Sequence, residues 1–113
     1  LALADPSSAE AKRDVSVSLD NVGQIKDAQG DAAGALDAYQ RSLEIREALA
    51  LADPSSAQAK RDLSVSLSKV GDIKANQGDA QGALQAYQRM FTILEALAKA
   101  DPSSARAQSD VAT

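Results

Sequence analysis

A nine-residue string, LALADPSSA, opens the chain at Leu1 and returns at Leu49, and DPSSA appears a third time from Asp101. The period is 48 residues, and residues 5–52 and 53–100 are identical at 34 of those 48 positions. Such a repeat constrains the fold strongly. Each unit must be one supersecondary element that buries its apolar face against its neighbours rather than within itself. The 113 residues then divide into the end of a preceding helix at 1–4, a first repeat at 5–52, a second at 53–100, and the start of a truncated third at 101–113.

Each repeat reads as two helices with their punctuation. Asp5-Pro6 and Asp53-Pro54 stop a helix from continuing, and Ser7 with Glu10, then Ser55 with Gln58, have the spacing of a capping box. The first helix is expected over about 9–29, its apolar residues Ala11, Val15, Leu19, Val22 and Ile25 falling at steps of four and three along one face. Gly30 ends it and Asp31 caps the next, expected over about 32–52 with Ala32, Ala35, Leu36, Tyr39, Leu43 and Leu49 on one stripe. The second repeat gives helices over about 57–77 and 80–100. With two residues between them, the helices of a pair must pack antiparallel.

Composition then limits the core and the chemistry. Alanine supplies 24 of the 50 apolar residues, so the core must be thin and built by close backbone approach. There is no Cys and no His, which removes disulfides, Cys/His metal sites and imidazole or thiolate catalysis. A nucleophilic Ser among Ser16, Ser18, Ser64, Ser66 and Ser68 would have only Lys as base, and small polar residues at tight contacts explain them better. The carboxylates show no metal-ligand spacing. No catalytic, cofactor-binding or metal site is expected, and the chain is expected not to be an enzyme. With 12 basic against 16 acidic side chains there is no basic stripe for nucleic acid. The longest apolar run, the five residues Ala48 to Ala52, falls far short of the roughly 20 needed to span a bilayer. The chain opens at Leu1 without Met or a leader pattern, so it reads as a segment of a longer protein, and a cytoplasmic location is the expectation.

Leu19, Val22 and Gly23, then Gly30-Asp31, Ala35 and Tyr39, resemble the tetratricopeptide pattern of small residues at a helix crossing, an apolar frame and a Gly-Asp turn. Leu67, Val70, Gly71, Gly78-Asp79, Ala83 and Tyr87 repeat it. The resemblance implies an all-α, right-handed α-solenoid of antiparallel helix hairpins, with Gly23 and Gly71 crossing closely against Ala35 and Ala83. Two features depart from it. Lys26 and Lys74 stand where an aromatic is usual, and the unit has 48 residues against about 34. The additional residues divide as seven per helix, close to two turns at about 3.6 residues each, so the helices lengthen without rotating their buried faces.

The differences between repeats suggest where function lies. Asp20/Ser68, Asn21/Lys69, Gln24/Asp72, Asp27/Ala75 and Ala28/Asn76 cluster on the first helix, away from the apolar stripe. The candidate groove is therefore Asp20, Gln24, Asp27, Ser68, Asp72 and Ala75. In tetratricopeptide proteins this face lines a concave groove for extended or helical peptides, and the acidic residues here disfavour a ligand held by its C-terminal carboxylate. Drift on an unused solvated face is the alternative. A second cluster turns Ser42, Leu43, Glu44 and Arg46 into Met90, Phe91, Thr92 and Leu94, and the stripe Met90, Phe91, Leu94 is expected to face another repeat or another chain. Lys12-Arg13-Asp14 and Lys60-Arg61-Asp62 read as a solvated face with its counter-charges close by. In the third unit Arg106 replaces Glu10 and Gln58, an unfavourable cation near a helix start.

The sequence thus points to a protein-interaction scaffold that binds a protein or peptide, with no nucleic acid, membrane or cofactor, and with self-association through exposed repeat ends. The alternative is a structural spacer or a designed, consensus-like segment with no ligand of its own.

Overall fold

The computed structural model describes residues 8–100, which form four α-helices: α1 (Ala9–Ala28), α2 (Ala32–Ala52), α3 (Ala57–Asn76) and α4 (Ala80–Ala100). The helix end expected at 1–4 and the third unit at 101–113, with Arg106, lie outside the described residues. Pairs α1–α2 and α3–α4 pack as hairpins, and α2 stacks on α3. This sequential packing is an all-α helical array.

The turns follow from two residues. Gly30 and Gly78 adopt φ of 81° and 84°, the left-handed region that costs other residues their Cβ clearance. Gly30 N donates to Asp27 O at 3.0 Å and Asp31 N to Lys26 O at 2.8 Å, so the last carbonyls of α1 are satisfied by a Schellman motif. The next side chain is already the N-cap of α2: the Asp31 carboxylate accepts from Gly34 N at 2.8 Å. Asp79 does the same for α4, accepting from Gly82 N at 2.9 Å. Helices α1 and α3 stop one residue before the expected Gln29 and Gln77, which serve as C-caps.

Helices α1 and α3 start at the expected Ala9 and Ala57, but their caps differ from expectation. Their N-caps are Ser8 and Ser56, accepting from Ala11 N and Ala59 N at 3.0 Å, and the Ser55–Gln58 capping box does not form. The proline turn is the reason. Ser56 N donates to Asp53 O at 3.0 Å, so Pro54 and Ser55 occupy the middle of a β-turn and Ser56 is the first residue free to cap. Ser55 instead donates from Oγ to Asp53 Oδ1 at 2.8 Å. Ser7 lies outside the described residues.

The core lies between α2, α3 and α4. Ala35 and Tyr39 of α2 pack on Val70 and Ile73 of α3, flanked by Ala32, Leu36 and Leu43. Leu63, Leu67 and Ala86 form a second cluster, with Leu43, Ala50, Met90 and Ile93 against it. Each fully buried Leu or Ile here is worth about 1.5–3 kcal/mol relative to exposure. Gly23 and Gly71 lie closest to tyrosines: a Cβ at Gly23 would stand 2.6 Å from Tyr39 Cε1, and one at Gly71 2.7 Å from Tyr87 Cε1. The absent side chains are what let each ring approach the partner helix this closely.

Helix α1 corrects a second expectation. Its buried residues are Ala11, Ser16 and Gly23, whereas Val15 and Val22 are about half exposed and Ile25 is 60% exposed. Of the apolar stripe read from the sequence, Ala11 is buried and Leu19 half-buried, and Val15, Val22 and Ile25 face outward. In α3 the same positions, Leu63, Val70 and Ile73, are buried because α2 lies over them.

Candidate recognition face and the polar node beneath it

Beneath the first repeat lies a group of buried polar side chains centred on Arg46. Its Nη1 is 2.8 Å from Asp20 Oδ2, the two side chains being 5% and 13% exposed. Nη1 also donates to Ser66 Oγ at 2.9 Å and Nε to Ser16 Oγ at 3.1 Å. Ser42 Oγ donates to the Ser16 carbonyl at 3.0 Å. One guanidinium therefore joins α1, α2 and α3. A planar fork with several donors suits this better than an ammonium would. The second Asp20 oxygen is buried and accepts no hydrogen bond, which leaves Arg46 as the group that balances its charge.

Asp20 therefore does not front an open groove, as the pattern of repeat differences had suggested. In the second repeat Ser68 replaces it and Leu94 replaces Arg46, so acid and base disappear together. Removing both is far cheaper than leaving either buried alone. The signal was in the sequence, in two differences assigned separately to the two helices.

The remaining groove candidates surround the tyrosines. Gln24, Asp27, Asp72 and Ala75 are exposed and Ser68 is partly buried. Tyr87 Oη donates to Asp72 Oδ1, which pushes its pKa up to about 12, because ionising the phenol would destroy the bond and set two anions together. Tyr39 is raised first by burial and then by the charges of Asp27, Asp20 and Asp72. Carboxylates of both α1 and α3 thus act on one phenol. Lys69 Nζ lies 5.5 Å from the Tyr39 ring centroid, a cation–π contact that reading the repeat differences did not anticipate.

Arg13 was expected on a solvated face with its charges neutralised locally. Its Nε instead meets Asp62 Oδ2 at 2.7 Å, tying α1 to α3 across the repeat boundary. That bond and the neighbouring Asp62 charge raise the Arg13 pKa. The candidate stacking residues Met90, Phe91 and Leu94 do not share one face. Met90 packs inward on Leu63 and Leu67, Leu94 is partly buried, and Phe91 remains 48% exposed.

Among the described residues no group of His, Cys, Asp or Glu could hold a metal ion, and no helix is long and apolar enough to cross a membrane. Two antiparallel hairpins stacked through α2 and α3, each closed by a Gly-Asp turn and a glycine under a tyrosine, define a helical repeat array. Residues 15–54 match the tetratricopeptide repeat family model, and the chain is a tetratricopeptide-like helical repeat. No curated protein and no solved structure matches it significantly. Tetratricopeptide repeats are generally non-catalytic modules that mediate protein–protein interactions.

Proposed function

We propose that the chain is a non-enzymatic scaffold that holds a peptide or protein segment on the concave side of the array, along the face shared by α1 and α3. The observation that carries this reading is the exposed acidic face that Asp27 of α1 and Asp72 of α3 present beside the tyrosines, Asp72 accepting from Tyr87 Oη, over a backing fixed by Arg46. Tyr39 is buried and backs the face, whereas the half-buried Tyr87 ring, with adaptable polar groups beside it, suits peptide recognition. Two exposed carboxylates favour a segment carrying Lys or Arg there. Gln24, Ser68 and Ala75 extend the same face in both directions.

The test is a peptide display library selected against the full chain, with the selected peptides re-measured against Asp27→Ala and Asp72→Ala. Each substitution is expected to weaken binding about five-fold or more, in line with about 1 kcal/mol per lost charged contact, while Arg41→Ala leaves it unchanged. Equal binding by all variants would overturn the groove assignment. Selection of no peptide above background would favour the ligand-free spacer.

A further inference from the structure

We infer that the outer faces of α1 and α4 bind each other between copies of this chain, head to tail, by repeating the α2–α3 interface. The internal interface supplies the template. Leu36, Tyr39 and Leu43 of α2 cover Val70 and Ile73 of α3 and keep Ile73 at 2% exposure. One period later, Leu84, Tyr87 and Phe91 stand at the same places on α4, and Leu84 and Phe91 are about half exposed. One period earlier, Leu19, Val22 and Ile25 stand where α3 has Leu67, Val70 and Ile73. A shallow hollow of ≈ 370 Å³ runs along this part of α1, lined by Asn21, Val22, Ile25, Lys26 and Gln29. Both halves of a contact that the molecule already makes once are therefore present, and among the described residues nothing covers more than about half of Val22, Ile25, Leu84 or Phe91.

Charge agrees with this register. Beside the internal interface, Arg89 Nη2 of α4 meets Glu47 of α2 at 3.3 Å, joining the two repeats. Shifted by one period, Glu95 of one copy faces Arg41 of the next, again with opposite signs. The buried Arg46 has no counterpart to desolvate, because α4 carries Leu94 there. Phe91 in place of Leu43 enlarges the apolar contact. Because the two surfaces are different, the contact is heterologous, and a dimer still has one free face of each kind. Assembly therefore extends with concentration instead of stopping at a dimer.

Sedimentation equilibrium of the full chain over the micromolar to millimolar range tests this. The mass is expected to rise steadily above the 11.7 kDa of one chain. Val22→Glu blocks the α1 face and Phe91→Glu the α4 face, and since both residues are about half exposed the helices persist by circular dichroism. Each variant alone is expected to stay at 11.7 kDa. An equimolar mixture is expected to double in mass and stop, because one intact α4 face meets one intact α1 face and the other two are blocked. Three results overturn the inference: a wild-type monomer at every concentration, a mixture that fails to associate, or association lost in Val22→Glu and intact in Phe91→Glu, which would mean α1 pairs with itself.

Discussion

Helices α1 and α3 are nearly one helix written twice, identical at 13 of 20 positions, and they are held in place by different physics. Helix α3 lies between α2 and α4 and is fixed by apolar packing, with Leu67 and Ile73 almost wholly excluded from solvent. Helix α1 rests mainly on α2 and is fixed by a buried guanidinium, a glycine seated on a tyrosine and an ion pair to α3. Ile25 is 60% exposed where Ile73 is 2%. An amphipathic stripe therefore states which face could be buried. Whether it is buried depends on what stands opposite.

The largest effect should come from the α1 attachment. Arg46→Ala leaves the Asp20 carboxylate buried without its counter-charge and frees the Ser16 and Ser66 hydroxyls, which should cost about 3–5 kcal/mol. The second repeat already contains the compensated form. Asp20→Ser with Arg46→Leu copies it and should return to within about 1 kcal/mol of the wild type, since paired buried charges are often replaceable by apolar groups. Urea unfolding of the two single variants and the double variant measures this as a cycle. Additive losses would show that the two residues do not act as a pair.

The apolar half of the comparison is tested by one substitution made twice. Ile73→Ala empties a site enclosed by Ala35, Tyr39 and Val70 and should cost about 2–5 kcal/mol. Ile25→Ala, at the same place one period earlier, should change stability by about 0.5 kcal/mol or less at concentrations where the chain is monomeric. A comparable loss at both positions would mean that α1 is covered on its outer face in solution.

These contrasts mark what sequence could and could not convey. The helix ends were legible because their causes are local: Gly30 and Gly78 need left-handed backbone, and Asp31 and Asp79 cap from the next position. The α1 and α3 caps were misplaced by one residue because two serines follow each proline and only the turn geometry decides between them. Burial on α1 was misread for a nonlocal reason. Periodicity selects Val15, Val22 and Ile25, but the helix lying over the equivalent face of α3 has no equivalent over α1 among the described residues. Arg46 was missed because charge reads as surface when one repeat is considered alone. The joint change of Asp20 to Ser68 and Arg46 to Leu94 was the available clue. On the candidate groove, the polarity of Gln24, Asp27 and Asp72 was legible, while the joint action of Asp27, Asp20 and Asp72 on Tyr39 required the relative placement of α1 and α3.

The smallest effect separates the repeats at their tyrosines. Tyr87 donates to Asp72, whereas the position equivalent to Asp72 in the first repeat is Gln24, which carries no charge. Titration followed by phenolate absorbance should show Tyr87 ionising near 12, above the ordinary value of 10.0, and Tyr39 also above its ordinary value, chiefly through burial. Asp72→Asn should bring Tyr87 down toward 10.0 and move Tyr39 much less, because Asp72 is a minor cause there. The sign for stability follows from linkage. Both phenols hold their protons more tightly when folded, so their contribution is complete below the unfolded pKa of 10.0 and is lost as pH rises through the folded pKa, which is about 12 for Tyr87. Urea midpoints should fall through that window in the wild type and fall less in Asp72→Asn. A Tyr87 that titrates at its ordinary value in the wild-type chain would show that the bond to Asp72 does not persist in solution, and with it would go the hydrogen bond that ties the α4 ring to α3.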